Sequence, residues 1–336
     1  MKIFLTGGHG FIGSHVVERL AKRGNTLRCL VRKSSKTHRI DAFPFDRVVG
    51  DVRDTASMQA GMQECDAVIH LASVSSWEDM ESSALEDIVI QGTKNVAQAA
   101  KAAGVKRLVY VSSSMAVNAS AQPKVHDESS PFELTDAKYR YPRAKNAAEE
   151  ALSAEINEDF EVVTVCPCEV YGPNDDALVT ASNLRDMIND WPALACTGGT
   201  AVVHVDDVAD GIVAALDKGR SAERYILGGE NLTVEELVRL TLDIAGLKTP
   251  VLKLPNGLVK AVVGSMAKVG LPTPVVPEVL TYATLFWFMD SGKATRELGF
   301  RARPSREVLL PTIRWLYEAG HAKKGTKPEL EPARAS

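Results

Sequence analysis

The sequence contains no long hydrophobic run and no strong excess of charge of either sign. A membrane helix needs roughly 18 consecutive apolar residues, and the longest aromatic run, LFWFM at 285–289, is far shorter. The formal net charge is −4, so neither nucleic acid nor an anionic membrane has an electrostatic reason to bind. We therefore expect neither of these partners.

Cysteine is scarce, and the sequence shows no secretory signal. The cysteines are Cys29, Cys65, Cys166, Cys168 and Cys196. An odd number of cysteines in a chain of 336 residues does not suggest a disulfide framework. Cys166 and Cys168 have no histidine or cysteine near them at zinc spacing, so we expect no metal site. The apolar run in MKIFLTGGHG is too short for a signal peptide, so we expect a cytoplasmic protein.

Short apolar runs alternate with helical patterns over the first half of the chain. The strand-like runs are 2–6, 26–31, 47–50, 66–72, 107–113 and 161–167, and the helical patterns include 15–24 and 84–103. This alternation predicts an α/β fold, with a parallel sheet covered by helices on both faces. After about residue 168 the rhythm weakens, although RYILGG at 224–229 is typical of a late strand that returns to the sheet. The length predicts two subdomains.

A glycine-rich loop joins the first strand to the first helix. In TGGHGFIG, the residues Gly8, Gly10 and Gly13 satisfy G-x-G-x-x-G, and Gly7, Gly10 and Gly13 satisfy a G-x-x-G-x-x-G register. Glycine lets the backbone turn sharply and approach a pyrophosphate closely. The helix that follows offers amide donors and partial positive charge to the phosphates. Between a strand and a helix, the loop predicts a dinucleotide site of Rossmann type.

The second strand is followed by two basic residues. In CLVRKSS, Arg32 stands nineteen residues after Gly13, with Lys33 beside it. A carboxylate near this position would bind the ribose hydroxyls of NAD, whereas two cations would attract a 2′-phosphate. The pattern favours NADP(H) over NAD(H), and the alternative is a solvent-exposed surface pair.

The segment YRYPRAK at 139–145 places a tyrosine and a lysine at helical spacing. Tyr141 and Lys145 are four residues apart and share one helix face, and Pro142 suits the first helical turn. A nearby ammonium would lower the pKa of a phenol by about two units and allow proton transfer near neutral pH. Tyr139 has Arg143 at the same spacing. The spacing alone does not choose between these tyrosines, or between a catalytic pair and a solvated helix face.

Together these motifs resemble the extended short-chain dehydrogenases/reductases, and most closely their dihydroflavonol-reductase-like branch. The resemblance covers nearly the whole chain. Further segments that resemble family blocks, in the family's order, are GDVRD (50–54), VIHLAS (68–73), YVSSSMAV (110–117), CPCEVYGP (166–173), HVDDVADG (204–211), YILGGENLT (225–233) and KATRELGF (293–300).

The resemblance implies the roles of particular residues. In the Y-x-x-x-K motif only Tyr141 and Lys145 fit, and they would act with Ser114, for which Ser113 is the rival. The residues implied in cofactor binding are Gly7, Gly10, Phe11, Ile12, Gly13, Arg32, Lys33, Asp51, Val52, Leu71, Ala72, Ser73, Ser112, Tyr141, Lys145 and Pro167. Asp51 and Val52 would flank the adenine, and Pro167 would lie against the nicotinamide. The family also implies a homodimer, formed by the helices that match 84–103 and 141–155.

The implied fold is a Rossmann-type doubly wound parallel sheet with a smaller, mostly helical C-terminal substrate-binding subdomain. The dinucleotide-binding domain would comprise residues 1–168, with 200–229 returning to it. The substrate-binding subdomain would comprise 169–199 and 230–320. The polar segment 321–336 is predicted to be a disordered tail.

Two departures from the family pattern bear on the reaction. Nucleotide-sugar enzymes usually carry Asn where this chain has Glu169, and Arg where it has Thr200. Between 167 and 204, one basic residue, Arg185, stands against five acids: Glu169, Asp175, Asp176, Asp186 and Asp190. An excess of carboxylates would repel a pyrophosphate and disfavour its binding. The alternative is that these acids form a solvated surface away from the pocket.

The sequence therefore predicts an NADP-dependent carbonyl reductase or alcohol dehydrogenase that acts on a small, largely uncharged substrate. Later apolar stretches, LVKAVVGSMAKVGL and TYATLFWFM, could line a hydrophobic cleft or belong to the core or a dimer surface. The first alternative function is a nucleoside-diphosphate-sugar epimerase or dehydratase. The second is a non-catalytic NADP-sensing protein, which the intact Tyr141 and Lys145 disfavour.

Overall fold

The computed structural model describes residues 1–74, 79–80, 82–257, 259, 261, 263, 265 and 277–329. Most of LVKAVVGSMAKVGL (258–271), which the sequence suggested as a lining of the substrate cleft, therefore lies outside the described residues. Within the described ranges, no helix has both the length and the hydrophobicity that a membrane span requires.

The elements follow the alternation seen in the sequence. The strands are β1 Lys2–Thr6, β2 Thr26–Val31, β3 Asp46–Val49, β4 Ala67–His70, β5 Arg107–Val111, β6 Val125–His126, β7 Glu161–Pro167, β8 Glu169–Tyr171, β9 Ala193–Ala195, β10 Gly199–His204, β11 Arg224–Leu227, β12 Asn231–Thr233, β13 Val251–Lys253 and β14 Phe286–Met289. The helices are α1 Phe11–Lys22, α2 Thr55–Met62, α3 Gly92–Ala102, α4 Arg140–Ser153, α5 Ala181–Asn189, α6 Val205–Lys218, α7 Val234–Ile244, α8 Pro277–Ala283, α9 Gly292–Leu298 and α10 Ser305–Glu318. A π-helical turn, Asp87–Gln91, precedes α3, and a 3₁₀ turn, Ser114–Ala116, follows β5.

The main sheet is parallel and has the order β11-β7-β5-β4-β1-β2-β3. The central strands of this sheet are largely buried because both faces are covered, and β4 is buried at every position. In β1, Ile3 and Leu5 point into one core, and Phe4 points into the other. The first core lies under α1 and α6, and the second lies under α2, α3 and α4. The predicted doubly wound parallel sheet is confirmed.

The smaller part of the molecule contains more strand than the sequence predicted. Strands β12, β10, β14 and β6 pair in that order, and β8 adds to β10. Residues 199–204 pair within this second sheet, while the side chains of Ala201 and Val203 pack into the core that α1 and α6 cover. Helix α6 then packs against α1, and β11 extends the main sheet beside β7.

The C-terminal segment differs from the predicted tail at its beginning. The backbone N–H of Lys323 donates to the Asn189 side chain at 2.8 Å, and the N–H of Thr326 donates to the carbonyl of Ala245 at 2.9 Å. Ala322 is buried against the helical core of the smaller part. These contacts fix 321–326 despite their polar composition, and residues 330–336 lie outside the described residues.

Candidate active site

The glycine loop leaves no room for side chains at two positions. Gly7 has φ of 71°, and a Cβ atom there would lie 2.6 Å from the backbone nitrogen of Ala72 on the neighbouring strand end. A Cβ atom at Gly13 would overlap the Gly7 carbonyl oxygen, which already accepts the N–H of Gly10 at 3.0 Å. The loop is therefore compact at the carboxyl end of β1, where dinucleotide phosphates bind in such folds.

The start of α1 is suited to an anion. Its N-cap is Gly10, which supplies no side-chain hydrogen bond, and the first turn carries no acidic residue. The free N–H groups and the helix dipole are thus available to a pyrophosphate. The predicted cofactor residues Phe11 and Ile12 pack partly buried side chains against the core, and their backbone N–H groups lie in the first turn of α1.

A group of cations surrounds His9 in the glycine loop. Burial lowers the pKa of His9, and the charges of Arg32, Arg39 and Arg47 lower it further. Arg32 is exposed just beyond β2, and its charge also acts on Asp51. Lys33 is exposed as well, but it is not among the cations that act on His9. The sequence analysis missed Arg39 and Arg47, which a count of charges over 32–47, five basic residues against two acidic, would have indicated.

The predicted adenine residues are held in place by local contacts. The carboxylate of Asp51 accepts two hydrogen bonds of 2.9 Å from the Arg53 guanidinium, which lowers the pKa of Asp51 to about 2. The carbonyl of Val52 accepts from the Asn95 amide at 3.0 Å. Both residues follow β3, at the same edge of the sheet as the glycine loop.

The strand ends beside the loop are equally well anchored. The N–H groups of Leu71 and Ala72 donate to the Thr6 backbone oxygen at 3.0 Å and to its hydroxyl at 3.2 Å, respectively. Pro167 is buried at the end of β7, where it lies opposite Leu227 of β11. These three predicted cofactor residues therefore lie at the carboxyl ends of β4 and β7, the two strands that flank β5 in the main sheet.

Tyr141 and Lys145 are both buried in the first turns of α4. The helix begins at Arg140, so Pro142 falls in its first turn as predicted. Tyr141 is 8% exposed and Lys145 is 2% exposed. The Lys145 ammonium donates to the Val111 carbonyl at 3.2 Å and to the Tyr110 hydroxyl at 3.5 Å. The pair therefore faces the interior and not solvent.

Burial, and not the lysine, controls the pKa of the phenol. Burial raises the pKa of Tyr141 to about 12, while the hydroxyls of Ser73 and Ser113 act in the opposite direction. The sequence argument expected Lys145 to lower this pKa, but it did not include the desolvation of the phenolate. Burial also lowers the pKa of Lys145 to about 8.

The three serines after β5 face different groups. Ser112, a predicted cofactor residue, donates its hydroxyl to the carboxylate of Glu149. Ser113 accepts the N–H of Met115 at 3.2 Å, and its hydroxyl interacts with Tyr141. The hydroxyl of Ser114 interacts instead with the Cys168 thiol. These interactions favour Ser113, the rival candidate, as the serine that acts on the phenol.

An apolar cluster adjoins the serines and Tyr139. Its buried members are Ala119, Leu134, Tyr282 and Trp287, with Met115, Phe132, Tyr139 and Leu285 packed against them. The ring centres of Tyr139 and Tyr282 are 6.5 Å apart. Tyr139 therefore belongs to this cluster and not to the Tyr141–Lys145 pair. Part of TYATLFWFM contributes to the cluster.

Most acids between 167 and 204 have structural partners. Asp175 is buried and accepts the N–H groups of Thr180 and Ala181, each at 3.1 Å. Asp176 pairs with Arg39 at 2.7 Å, and Asp186 pairs with Arg185 at 2.7 Å. The acidic excess is therefore a poor measure of the charge in a substrate pocket.

Glu169 is the acid of this segment that lies next to Pro167 and Cys168. One of its carboxylate oxygens accepts from the Tyr171 hydroxyl at 2.6 Å and from the Asn183 amide at 2.8 Å. The other departure, Thr200, lies in β10 between Leu232 and Trp287 of the neighbouring strands. Of the two, Glu169 is the one that lies near the carboxyl end of β7.

The glycine cradle, the cations beside it and the buried Tyr141–Lys145 pair define an NAD(P)-dependent enzyme of the short-chain dehydrogenase/reductase type. The model of the NAD dependent epimerase/dehydratase family matches residues 3–228, and the chain belongs to this family. The resemblance to its extended, dihydroflavonol-reductase-like members is confirmed by the relatives.

Similar proteins include reductases and sugar-nucleotide enzymes. A protein of Synechocystis sp., provisionally named dihydroflavonol 4-reductase, is 31% identical over 332 residues, which cover 95% of this chain and 96% of that protein. A Stigmatella aurantiaca protein, 4-hydroxy-2-methyl-3-oxo-4-farnesyl-3,4-dihydroquinoline-1-oxide ketoreductase, is 28% identical over 98% of this chain and 99% of its own length.

Solved structures with the same fold cover nearly the whole chain. The crystal structure of gox2253 has a TM-score of 0.82 and 31% identity over 96% of this chain and 99% of its own. DesIV, a dTDP-glucose 4,6-dehydratase from Streptomyces venezuelae with NAD and TYD bound, has a TM-score of 0.76 and 27% identity over 95% of this chain and 97% of its own.

Proposed function

We propose that this oxidoreductase is an NADPH-dependent carbonyl reductase, or an alcohol dehydrogenase in the reverse direction, that acts on a small and largely uncharged substrate. The observation that carries the proposal is the buried Tyr141–Lys145 pair, whose phenol interacts with the hydroxyls of Ser73 and Ser113. When bound, the cofactor would supply the hydride, and the chain would supply the proton and the positioning.

The cations beside the glycine loop support NADP(H). A 2′-phosphate would gain charge-assisted hydrogen bonds from arginine. We assign Arg32 and Arg39 to this phosphate, because the charges of both act on His9 in the glycine loop. Lys33 is a secondary candidate because it is exposed on the same turn. Gly7, Gly10 and Gly13 would face the pyrophosphate, and the strand ends at Asp51–Val52 and Leu71–Ser73 would line the adenosine and ribose.

The proton is assigned to Tyr141. Its hydroxyl is protonated at neutral pH because burial raises the pKa of Tyr141, so it can donate to a carbonyl oxygen that gains negative charge. Ser113 or Ser114 would orient that oxygen by a hydrogen bond. The ammonium of Lys145 would hold the ribose hydroxyls and stabilise the phenolate that remains.

The apolar cluster supports an uncharged substrate. Its aromatic and aliphatic side chains begin at Met115, next to the serines, and continue through Tyr139 to Trp287. Apolar lining with few polar groups is typical of sites for hydrophobic small molecules. The relatives named as reductases of oxo compounds agree with this assignment.

A nucleoside-diphosphate-sugar epimerase or dehydratase remains the second candidate, favoured by the likeness to DesIV, which was solved with NAD and TYD bound. Against it stand Glu169 and Thr200, which replace groups that would contact a diphosphate in such enzymes. A non-catalytic NADP sensor is the third candidate, and the retained Tyr141 and Lys145 disfavour it.

We also propose that the protein is a homodimer. The exposed side of α3 and the half-buried side of α4 carry small or polar residues such as Gln98, Ala102 and Ala147, which allow close approach of a second copy. The proposal rests on the family resemblance of these two helices.

A cofactor-oxidation screen tests the proposed reaction. Purified protein is mixed with NADPH or NADH and a panel of aldehydes, ketones and sugar nucleotides, and absorbance at the nicotinamide band is followed. We expect NADPH consumption with an apolar ketone or aldehyde. Turnover of a sugar nucleotide alone, without net NADPH consumption, would support the second candidate instead.

A further inference from the structure

A buried carboxylate lies one helical turn beyond Lys145 and has no role in the proposed reaction. Glu149 is on α4, four residues after Lys145, and its side chain is 12% exposed. Burying a carboxylate is costly unless it is paired and hydrogen-bonded. The next residue, Glu150, is exposed to solvent and can make the helix surface polar. A surface role therefore does not explain why Glu149 is largely buried.

Glu149 is bound on both of its oxygens by groups from three strand ends. One oxygen accepts the Ser112 hydroxyl and the Cys166 thiol, the latter at 3.6 Å. The other accepts from the Arg224 guanidinium at 3.3 Å. Arg224 is itself fixed, because it also donates to the Glu128 carbonyl at 2.7 Å. The network thus connects the ends of β5 and β7 with the edge strand β11.

The ammonium of Lys145 has neutral neighbours apart from this carboxylate. The titratable groups that face Lys145 are His70 of β4, Tyr110 of β5, Tyr141 and Glu149 of α4, and Cys166 of β7. Burial lowers the pKa of His70 to about 3, and burial raises the pKa of both Tyr110 and Cys166. At neutral pH these three groups carry no charge, so Glu149 is the acid among the described residues whose charge acts on the buried lysine. Burial raises the pKa of Glu149, and the Arg224 guanidinium opposes that shift.

We propose that Glu149, held by Arg224 and Ser112, is a positioning residue that keeps Lys145 charged at neutral pH in its buried site. This inference rests on the proposed function, because it assigns Lys145 to the cofactor ribose and to the phenol of Tyr141. Burial lowers the pKa of Lys145 to about 8, and the charge of Glu149 opposes that shift. Without the carboxylate, the lysine would lose its proton closer to pH 7.

The test measures NADPH affinity by fluorescence titration from pH 6 to pH 10, which needs no substrate. In the native protein we expect affinity to fall as Lys145 loses its proton, with a midpoint near pH 8, and the Lys145→Met variant should lack this limb. Glu149→Gln should move the midpoint down by about one to two pH units, the effect of a unit charge one helical turn away at a dielectric constant of about 20. Glu149→Asp keeps the charge and should restore most of the midpoint.

Two further variants keep the test decisive. Glu150→Gln removes an exposed carboxylate from the same helix and should leave the midpoint unchanged. Arg224→Gln removes the cation that stabilises ionised Glu149, since Arg224 lowers the pKa of Glu149 against the effect of burial. This variant should also lower the pH midpoint of NADPH affinity. It provides the same test if the Glu149→Gln protein does not fold.

The outcomes separate the inference from the proposed function. A folded Glu149→Gln or Arg224→Gln protein with the native midpoint would overturn the inference, as would equal shifts for Glu149→Asp and Glu149→Gln. If the native protein binds no NADPH at any pH, the proposed function fails first. If NADPH affinity of the Lys145→Met variant falls with pH as in the native protein, a group other than Lys145 titrates. That result would also overturn the inference.

Discussion

The ammonium nitrogen of Lys145 lies 5.9 Å from the ring centre of Tyr141, and its hydrogen bonds go to the strand end at Val111 and to Tyr110. Lys145 thus lies beneath the phenol and not beside its hydroxyl. The phenol hydroxyl is left to Ser73 and Ser113, which are the groups that lower its pKa. The lysine can stabilise a phenolate through space, while the third N–H of its ammonium is available to a ribose.

Removal of the Tyr141 hydroxyl should abolish most of the turnover and little else. Tyr141→Phe keeps the ring in its buried position, so the fold and NADPH binding should survive. The rate should fall by about 10²–10⁴, the usual contribution of a positioned general acid. Steady-state kinetics on a substrate from the screen, together with melting curves, measures both effects.

Tyr139→Phe is the matched control, because Tyr139 packs in the apolar cluster two residues earlier. Its rate should stay near that of the native protein, although KM for an apolar substrate could change. Loss of activity in Tyr139→Phe combined with full activity in Tyr141→Phe would reverse the assignment of the acid.

The serine beside the phenol can be identified by a pair of alanine variants. Ser113→Ala should reduce kcat more strongly than Ser114→Ala, because Ser113 interacts with Tyr141 whereas Ser114 interacts with Cys168. We expect about a tenfold or larger loss for the more important serine, the value of one hydrogen bond to developing charge. The opposite order would favour Ser114, the residue that the family resemblance implies.

Cofactor choice should depend on Arg32. Arg32→Asp places a negative charge where the 2′-phosphate is assigned, and NADPH affinity should fall by about tenfold to a hundredfold, the value of a charge-assisted hydrogen bond. NADH affinity should change little. Lys33→Gln is the control and should have a smaller effect on NADPH. A native protein that binds NADH more tightly than NADPH would refute the assignment of these cations.

The proposed dimer can be tested by mass. Light scattering at micromolar concentration should give about twice the 36.3 kDa of one chain. Gln98→Glu with Ala102→Glu places two carboxylates on the exposed side of α3, where a second copy would bring like charges together, and this variant should sediment as a monomer with an unchanged fold. A monomeric native protein would remove the dimer from the account.

The elements that the sequence predicted correctly are those whose signal is local. The glycine loop, the apolar strand β1 and the start of α4 at YPRAK depend on residues that are neighbours in the chain, so pattern and propensity suffice. The late strand at Arg224–Leu227 was recognised because its apolar run is bounded by Gly228 and Gly229.

The features that the sequence did not reveal depend on distant partners. Strand β10 looks like any buried strand, and only its pairing with β8, β12 and β14 assigns it to the second sheet. Arg39 approaches His9 through the fold of an irregular loop, which spacing does not encode. The effect of burial on Tyr141 likewise depends on the residues that cover it, and no count of nearby cations in the sequence could supply it.

The most direct test of the account follows the hydride. The protein is incubated with NADPH that carries deuterium at the transferable C4 position and with the best carbonyl substrate from the screen, and the product is analysed by mass spectrometry. The account predicts an alcohol product that carries one deuterium, with one NADP⁺ formed for each product molecule. Turnover that leaves the NADPH unconsumed and gives a product without deuterium would contradict it and would favour an epimerase or dehydratase.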